Sequence, residues 1–265
     1  MDLQLTGKRA IVTGASRGIG LAVADGLAAE GAHVALVARD AEALDRAAER
    51  VRRHGTTALP CPADTRDDAA VRAVVARVVA ELGGVDVLVN AAARPASSGP
   101  VPPLAELTDD ALREEVETKV LGYLRCARAV APHMAAAGWG RIVNISGLNA
   151  RRTGSLVGSV RNVAVAAMTA NLADELGPAG ITVTVVHPGT TVTERTEKLL
   201  ADRAAEQGGT PEEAARAMAA GTSIGRLVTA REVADVVTFL ASPRSAAISG
   251  DAVAVGGGSR GVIHY

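Results

Sequence analysis

A glycine-rich segment near the start of the sequence is the pattern that most directly indicates chemistry. Residues 13–20 read TGASRGIG, which places the glycines in the spacing G-x-x-x-G-x-G. Such glycines let the main chain turn tightly and approach a phosphate, whose charge is stabilised by free N–H groups and by the dipole of a following helix. The segment therefore predicts a turn that binds the phosphates of a nucleotide. Its candidate binding residues are Gly14, Ser16, Arg17, Gly18, Ile19 and Gly20.

Short apolar runs alternate with helical stretches along the chain. The runs are typical of buried parallel strands and cover residues 9–13, 34–38, 57–61, 86–90, 141–145 and 182–187. Apolar residues at helical spacing from Val71 to Leu82 predict an amphipathic helix that packs on the sheet. Because parallel neighbours need crossover connections, the alternation predicts an α/β fold with a doubly wound parallel sheet. We expect one Rossmann-like domain over residues 1–265, with helices on both faces.

Composition and charge exclude several classes of protein. The chain has 265 residues, of which 48% are hydrophobic and 22% charged, as in ordinary globular proteins. The formal net charge of −1 provides no basic surface for nucleic acid. A signal peptide and an apolar run of about 18 residues are both lacking, so we expect a cytoplasmic protein without membrane association. Cys61 and Cys126 are expected to be reduced core residues, and no ligand spacing predicts a metal site.

The glycine spacing and several later motifs resemble the short-chain dehydrogenase/reductase family, whose nucleotide motif reads TGxxxGIG. Residues 90–93, NAAA, match the family's Asn-Asn-Ala-Gly motif in part, and residues 187–193, HPGTTVT, match its Pro-Gly-x-x-x-Thr loop. The resemblance runs along essentially the whole chain and implies an oxidoreductase with a nicotinamide cofactor and a small-molecule substrate. The further cofactor-binding residues that it implies are Asp64, Thr65, Asn90, Ala91, Asn162, Pro188, Gly189, Thr191 and Thr193.

The end of the second predicted strand bears on the choice of cofactor. Residues 37–40 read VARD, so Ala38 stands where relatives that prefer NAD place an Asp for the ribose 2′-hydroxyl. Arg39 and Arg17 could instead clamp a 2′-phosphate, because guanidinium groups match phosphate oxygens. We therefore expect NADP(H) to be favoured over NAD(H). The alternative is that Arg39 is only a solvated loop charge.

The catalytic positions depart from the pattern of the family. Members that reduce carbonyls share an Asn, a Ser, a Tyr and a Lys, the last two spaced Tyr-x-x-x-Lys. Neither tyrosine in this sequence is followed by a lysine four residues later. When the sequence LADEL at residues 172–176 sets the register, Gly158 falls at the Tyr position and Asn162 at the Lys position. Gly147 falls at the Ser position, and Lys119 falls at the Asn position.

Other side chains could replace the missing groups. Ser146 and Ser159 could hydrogen-bond a substrate carbonyl, and Lys119 could donate a proton if burial lowers its pKa. Asn162 is expected to touch the ribose, as the lysine does in the family. In the alternative interpretation, Ser146 only caps a strand, Ser159 starts a helix and Lys119 faces solvent. A further candidate acid is Tyr265 of a neighbouring subunit, next to His264 at the C-terminus.

Three more features concern the substrate and the assembly. Arg151, Arg152 and Arg161 would suit an anionic substrate, unless they only form a solvated basic surface. Residues 190–221 contain charged helical pieces broken at Gly208-Gly209, which predicts either a substrate lid or a surface helix pair. Helices over 108–137 and 159–176 resemble the pair through which family members dimerise. The resemblance therefore implies a homo-oligomer, expected to be a tetramer.

Three functions are consistent with these residues. The first is an NADP(H)-dependent oxidoreductase that acts on a small carbonyl or conjugated substrate with a non-standard proton donor. The second is a non-redox enzyme on the same scaffold, such as a dehydratase or cyclase, which the lack of the Tyr and Lys supports. The third is a nucleotide-binding sensor without catalysis. Because the loop at residues 187–193 matches the one that holds the nicotinamide in the family, the sequence favours the oxidoreductase.

Overall fold

A seven-stranded parallel sheet forms the centre of the structure, a computed structural model that describes residues 1–93 and 101–258. The strand order is β3-β2-β1-β4-β5-β6-β9, which confirms the predicted doubly wound fold. Part of the loop at 94–103, together with His264 and Tyr265, lies outside the described residues. The sheet strands are β1 (Arg9–Thr13), β2 (His33–Ala38), β3 (Ala58–Pro62), β4 (Val87–Asn90), β5 (Gly140–Ile145), β6 (Ile181–Pro188) and β9 (Ala252–Val255).

Helices cover both faces of the sheet. The helices and the two short remaining strands are α1 (Gly18–Ala29), α2 (Ala41–Arg52), α3 (Asp68–Leu82), α4 (Asp109–Glu115), α5 (Gly122–Ala137), α6 (Leu156–Leu176), β7 (Thr191–Val192), α7 (Glu194–Gln207), α8 (Pro211–Ala219), β8 (Val228–Thr229) and α9 (Ala230–Leu240). Apolar residues of α1, α2 and α9 form the core on one face of the sheet. Residues of α3, α5 and α6 form the core on the other face, which also buries the free thiols of Cys61 and Cys126.

The edge strand β9 was not predicted. It pairs with β6 in parallel, with Val186 opposite Val253, and its four side chains are partly or fully exposed. An edge strand of this length shows only a short run of apolar residues in the sequence, because only one of its sides is paired and neither face is fully covered. The six predicted strands differ from the observed ones by one residue at most at either end.

The strand order reverses between the neighbouring strands β1 and β4: β2 and β3 lie on one side of β1, whereas β4 and the later strands lie on the other. A hydrogen-bonding bridge joins the carboxyl ends of these two strands: the Thr13 hydroxyl oxygen accepts from the N–H groups of Ala91 and Ala92, at 3.0 and 3.1 Å. In open parallel sheets, ligands bind in the crevice at such a reversal, beyond the carboxyl ends of the strands. The glycine-rich segment follows β1 and so lies beside this crevice.

The helical stretch predicted over 108–137 is interrupted by a wider turn. Thr108 caps α4 by accepting a hydrogen bond from Ala111 N, and residues Val116–Leu121 then adopt π-helical geometry before α5 begins. A π-helical turn inserts an extra residue into a helix and changes the direction in which its side chains point. In this protein the turn carries Lys119, which is buried.

Helix α6 is apolar as well as long. Residues Leu156–Ala179 could cross a membrane by length and composition alone, with a mean hydropathy of 1.2. In the structure, Val165 of this helix packs against Tyr123 and Val185 in the core, so the helix belongs to the layer that covers the sheet. Its other face carries the exposed apolar side chains of Leu156, Val160 and Val163.

The segment predicted to be a lid consists mostly of two helices. Helices α7 and α8 are separated at Gly208, whose φ of +70° favours glycine, and Thr210 caps α8 in a capping box with Glu213. The predicted helical pieces and the break between them are therefore present. That this helix pair closes over a substrate stays a prediction.

Candidate active site

The glycine-rich turn leaves space that side chains would fill. Gly14 has a φ of +67°, and a Cβ atom on it would lie 2.8 Å from the main-chain oxygen of Ala91. A Cβ on Gly20 would lie only 2.3 Å from the oxygen of Gly14. Gly18, with a φ of +57°, opens α1 close to the methyl group of Thr193. The turn therefore needs glycine at these positions, as expected where a main chain closely approaches a dinucleotide phosphate.

The start of helix α1 has the features of an anion site. Arg17 is the N-cap residue, and its exposed side chain makes no capping hydrogen bond, so a side-chain cap does not satisfy the N–H groups of the first turn. Ser16 and Ile19 are half-buried beside it. Together with Gly14 and Gly20, these residues fit a pyrophosphate.

Three of the residues predicted to bind the cofactor lie at the ends of β2 and β3: Arg39, Asp64 and Thr65. Arg39 is exposed, while the following Asp40 caps α2 by accepting from Ala43 N. The Asp64 carboxylate accepts from Arg66 Nη2 at 2.7 Å, and this bond, with the nearby Arg39 charge, holds the pKa of Asp64 below its usual value. Thr65 is buried against Gly122.

Asn90 lies in the interior rather than on the surface of the crevice. Its side-chain nitrogen donates to Asn144 Oδ1 at 2.9 Å, and the Asn144 amide in turn donates to Thr169 Oγ1 at 3.0 Å. The Asn90 Oδ1 atom is buried and has no hydrogen-bond partner among residues 1–93 and 101–258. Asn90 thus links β4 to β5 at their carboxyl ends, while the following Ala91 contributes its N–H to the bridge with Thr13.

Lys119 lies at the centre of the candidate site. Its ammonium group donates to the main-chain oxygen of Ser146 at 2.8 Å and to Asn162 Oδ1 at 2.9 Å. The residue is only 4% exposed, so the alternative in which Lys119 faces solvent is wrong. One buried cation therefore connects the π-helical turn, the end of β5 and helix α6.

Burial lowers the pKa of Lys119 from 10.5 to about 7. The charge of Arg161 contributes to this lowering, whereas the charge of Glu115 opposes it. Arg161 and Glu115 form a mostly buried ion pair with each other, so neither charge acts alone on the lysine. A lysine with a pKa near 7 exchanges its proton readily at neutral pH, as a general acid or base must.

The two serines predicted to bind a carbonyl are engaged with the main chain. Ser146 Oγ donates to the main-chain oxygen of Asn162 at 3.1 Å, and Ser159 Oγ donates to that of Arg152 at 2.8 Å. Helix α6 begins before Ser159 and is capped by Ser155. Gly147 packs against the Asn162 amide, 3.1 Å from where a Cβ would stand.

Tyr123 does not supply a proton to this site. Its hydroxyl donates to the main-chain oxygen of Ile145 at 3.0 Å, and the residue is fully buried. Burial raises the pKa of this phenol well above its usual value. Tyr123 is therefore a core residue that ties α5 to the end of β5.

The loop after β6 is held by threonine hydroxyls and by close glycine packing. A Cβ on Gly189 would lie 2.8 Å from the Cα of Gly256, so Pro188-Gly189 fits tightly against the segment after β9. Thr191 Oγ1 donates to the oxygen of Gly189 at 3.0 Å, and Thr193 Oγ1 lies 3.2 Å from Thr196 Oγ1. This packing fixes the loop at the same edge of the sheet as the glycine-rich turn.

His187, just before this loop, is also buried. Burial, together with the charges of Arg151 and Lys119, lowers its pKa to about 4, so the imidazole is neutral at pH 7. Its Nδ1 atom has no partner among the described residues.

Sequence reasoning did not connect Glu115 with Arg161. The two residues are far apart in the sequence, and their pairing depends on how α4 packs against α6. Glu115 precedes Lys119 by four residues, a spacing that signals neighbours on a helix, although the π-helical turn alters that relation here. The pairing also changes the interpretation of the basic cluster, because the charge of Arg161 is balanced by Glu115.

Comparison with known proteins identifies the class. The family model for the short chain dehydrogenases matches residues 8–204, and the chain belongs to this family of oxidoreductases, whose members bind NAD(P). It is 36% identical over 250 residues to the short-chain reductase protein NovJ of Streptomyces niveus, covering 94% of this chain and 92% of that protein. The 3-oxoacyl-(acyl-carrier-protein) reductase FabG of Pseudomonas aeruginosa is 34% identical, with 97% of this chain and 98% of FabG covered.

A solved structure gives the same fold over nearly the whole length. The L-sorbose reductase of Gluconobacter frateurii, in complex with NADPH and L-sorbose, superposes with a TM-score of 0.92 at 31% identity. The match covers 99% of this chain and 100% of that one.

The buried lysine leads to a prediction about stability. Between pH 7 and pH 10.5 the unfolded chain holds a proton on Lys119 that the folded chain has released, so folding becomes more favourable as the pH rises. Relative to a Lys119→Met variant, the free energy of unfolding of the parent should rise by roughly 1 kcal/mol per pH unit over this range. Urea denaturation at pH 7, 8 and 9 measures the difference. A difference that stays constant over these pH values would contradict the assignment.

Proposed function

We propose that this protein is an NADP(H)-dependent oxidoreductase that acts on a small carbonyl or conjugated substrate and uses Lys119 as its proton donor. The observation that carries the proposal is the buried Lys119 ammonium, held by Ser146 O and Asn162 Oδ1. It lies at the carboxyl end of β5, on the same edge of the parallel sheet as the glycine-rich turn after β1. The site thus combines an ionisable proton donor with a main chain shaped for a dinucleotide.

The residues that would hold the cofactor come from several loops at that edge. When bound, NADP(H) supplies or accepts the hydride. In the proposal, the glycine-rich turn and the start of α1 bind the pyrophosphate, and Asn162 binds the ribose. The remaining contacts come from Arg39, Asp64, Thr65, Ala91, Pro188, Gly189, Thr191 and Thr193. Asn90, which is buried, would position the neighbouring Ala91 instead of touching the cofactor with its side chain.

The proton-transfer role of Lys119 follows from its surroundings. The Ser146 carbonyl and the Asn162 amide oxygen accept two of its hydrogens, which orients the group and leaves the third for a substrate oxygen. No full negative charge hydrogen-bonds the ammonium among the described residues, so its proton remains easy to release. On this proposal the chain replaces the usual Tyr-x-x-x-Lys pair with Lys119, while Gly158 and Asn162 occupy the places of that pair.

Support for the substrate class comes from relatives and from the basic residues. NovJ is a short-chain reductase, FabG is a 3-oxoacyl-(acyl-carrier-protein) reductase and the Gluconobacter frateurii enzyme is an L-sorbose reductase, and these relatives favour a carbonyl substrate here. Arg161 is neutralised by Glu115. Of the predicted basic cluster, we propose Arg151 as the residue that would meet an anionic group, since it is partly exposed and bonded only to the oxygen of Ala252 among the described residues.

The preference for NADP(H) can be tested by titration. The parent should bind NADPH more tightly than NADH, as measured by quenching of its single tryptophan or by nicotinamide fluorescence. Arg39→Ala removes a guanidinium expected to contact the 2′-phosphate, so it should weaken NADPH binding roughly tenfold and leave NADH binding unchanged. Arg53→Ala, which removes an exposed arginine at the end of α2, is the matched control. Equal affinities for the two nucleotides in the parent would overturn the preference.

The proposed reaction can be tested by NADPH oxidation with a panel of ketones, enones and acyl thioesters. The parent should oxidise NADPH with at least one of these substrates. Lys119→Met should reduce kcat by roughly 100-fold or more, because it removes the proton donor, while NADPH should still bind, more weakly because Asn162 loses its bond to the lysine. Lys8→Met, which removes a lysine packed on Trp139 next to the start of β1, should keep the activity.

The outcome of this assay decides between the remaining functions. Tight NADPH binding without oxidation of any substrate would contradict the proposed reaction and favour a non-redox enzyme or a sensor. Failure to bind either nucleotide would contradict all three.

We also propose that helices α5 and α6 pair with those of a second copy in a homo-oligomer, a tetramer by the resemblance to the family. The exposed Leu156, Val160 and Val163 on α6 support this, because such an apolar surface is stabilised by burial in an interface. Light scattering after size-exclusion chromatography should give the mass of a dimer or tetramer, and Val163→Glu should lower that mass. A parent that runs as a monomer would overturn the assembly.

A further inference from the structure

The first turn of helix α6 has a position without a side chain whose space is used by a neighbour. A Cβ atom on Gly158 would lie 2.8 Å from the Asn149 amide nitrogen and 2.8 Å from Ser155 Oγ. Gly158 does not have a positive φ, so the main chain itself does not require glycine there. Glycine is also a poorer helix former than alanine. The absence of a side chain at position 158 therefore leaves room for the Asn149 amide and for the capping hydroxyl of Ser155.

The main chain around Asn149 is fixed. Residues Leu148–Arg151 form a 3-10 turn in which Ala150 N donates to Gly147 O at 3.0 Å. The Leu148 side chain is buried against Gly189 and Gly256, which anchors this turn to the loop after β6. The turn that carries Asn149 follows Ser146, whose main-chain oxygen accepts from Lys119, and the Asn149 amide reaches Gly158 in the first turn of α6.

The Asn149 side chain is exposed, and its amide makes no hydrogen bond to any residue in 1–93 or 101–258. The neighbouring serines, in contrast, all make hydrogen bonds within the protein. Ser155 Oγ accepts from Gly158 N at 3.1 Å, and Ser146 and Ser159 both donate to main-chain oxygens. The predicted serine donors thus bond to main-chain oxygens, whereas the Asn149 amide, carried by an anchored turn, keeps its N–H groups available for a ligand.

We propose that Asn149 binds the substrate by donating a hydrogen bond from its amide to a carbonyl oxygen, and that Gly158 is kept free of a side chain so that this amide can take its position. This inference rests on the proposed oxidoreductase function and adds a substrate-binding residue to it. An amide donor is neutral, so it binds a ketone or an acyl oxygen without requiring a charged substrate.

Replacement of Asn149 tests the donor directly. Asn149→Asp keeps the size and shape but has no N–H to donate, and Asn149→Ala removes the group. Both should raise KM for the carbonyl substrate, roughly tenfold for Asp and three- to tenfold for Ala, as expected for a lost hydrogen bond. Neither should change the Kd for NADPH or the melting temperature, because the side chain is exposed. Asn171→Ala on α6, whose exposed amide bonds to the oxygen of Ala167, is the matched control.

A double-mutant cycle tests the role of Gly158. Gly158→Ala should raise KM about as much as Asn149→Ala does, because the new methyl group displaces the amide. In the Asn149→Ala background the same glycine replacement should have no additional effect on KM. Independent, additive effects of the two replacements on KM would show that Gly158 does not act through Asn149, and would overturn the role proposed for Gly158.

The inference and the proposed function fail in different ways. If the parent oxidises NADPH with a carbonyl substrate but Asn149→Asp and Asn149→Ala keep the KM of the parent, the role of Asn149 is overturned and the oxidoreductase stands. If the parent binds NADPH but reduces no carbonyl substrate, both are overturned.

Discussion

The burial of the Lys119 ammonium is the constraint on which the rest of this site depends. A cation removed from water must be compensated by hydrogen bonds, and here a main-chain carbonyl and a side-chain amide provide them. These two acceptors belong to the end of β5 and to helix α6, so the lysine fixes the positions of both relative to the π-helical turn. The incomplete compensation is visible in its pKa of about 7. The same feature that costs stability therefore makes the group able to exchange protons.

The parallel sheet explains why the separate parts of the site meet. The carboxyl ends of β1, β4, β5 and β6 lie at one edge, and each is followed by a segment with a distinct role: the glycine-rich turn, Ala91 with Ala92, Ser146 with Gly147, and Pro188-Gly189. The Thr13 hydroxyl joins the first two segments, and the packing of Leu148 against Gly189 joins the last two. A rigid scaffold thus holds loops that come from distant parts of the sequence.

Sequence patterns predicted the sheet well because burial on both faces gives continuous apolar runs. They did not predict β9, because this edge strand is short and partly exposed and so has only a short apolar run. The glycine-rich turn could be predicted because its chemistry depends on local spacing. In contrast, the π-helical turn, the hydrogen bond from Lys119 to Asn162 and the pairing of Arg161 with Glu115 depend on packing between helices, which no local pattern records. The hydrogen bonds from Ser146 and Ser159 to main-chain oxygens could not be predicted for the same reason.

The central claim, that Lys119 is a buried amine that titrates near neutral pH, can be measured directly by NMR. The chain has only three lysines, so protein labelled with carbon-13 at the lysine ε-carbons gives a simple spectrum, and Lys119→Met identifies the resonance of Lys119. Its chemical shift should titrate with a midpoint near pH 7. A midpoint close to 10.5, the ordinary value for lysine, would show that the ammonium is not desolvated and would contradict the proposed proton donor.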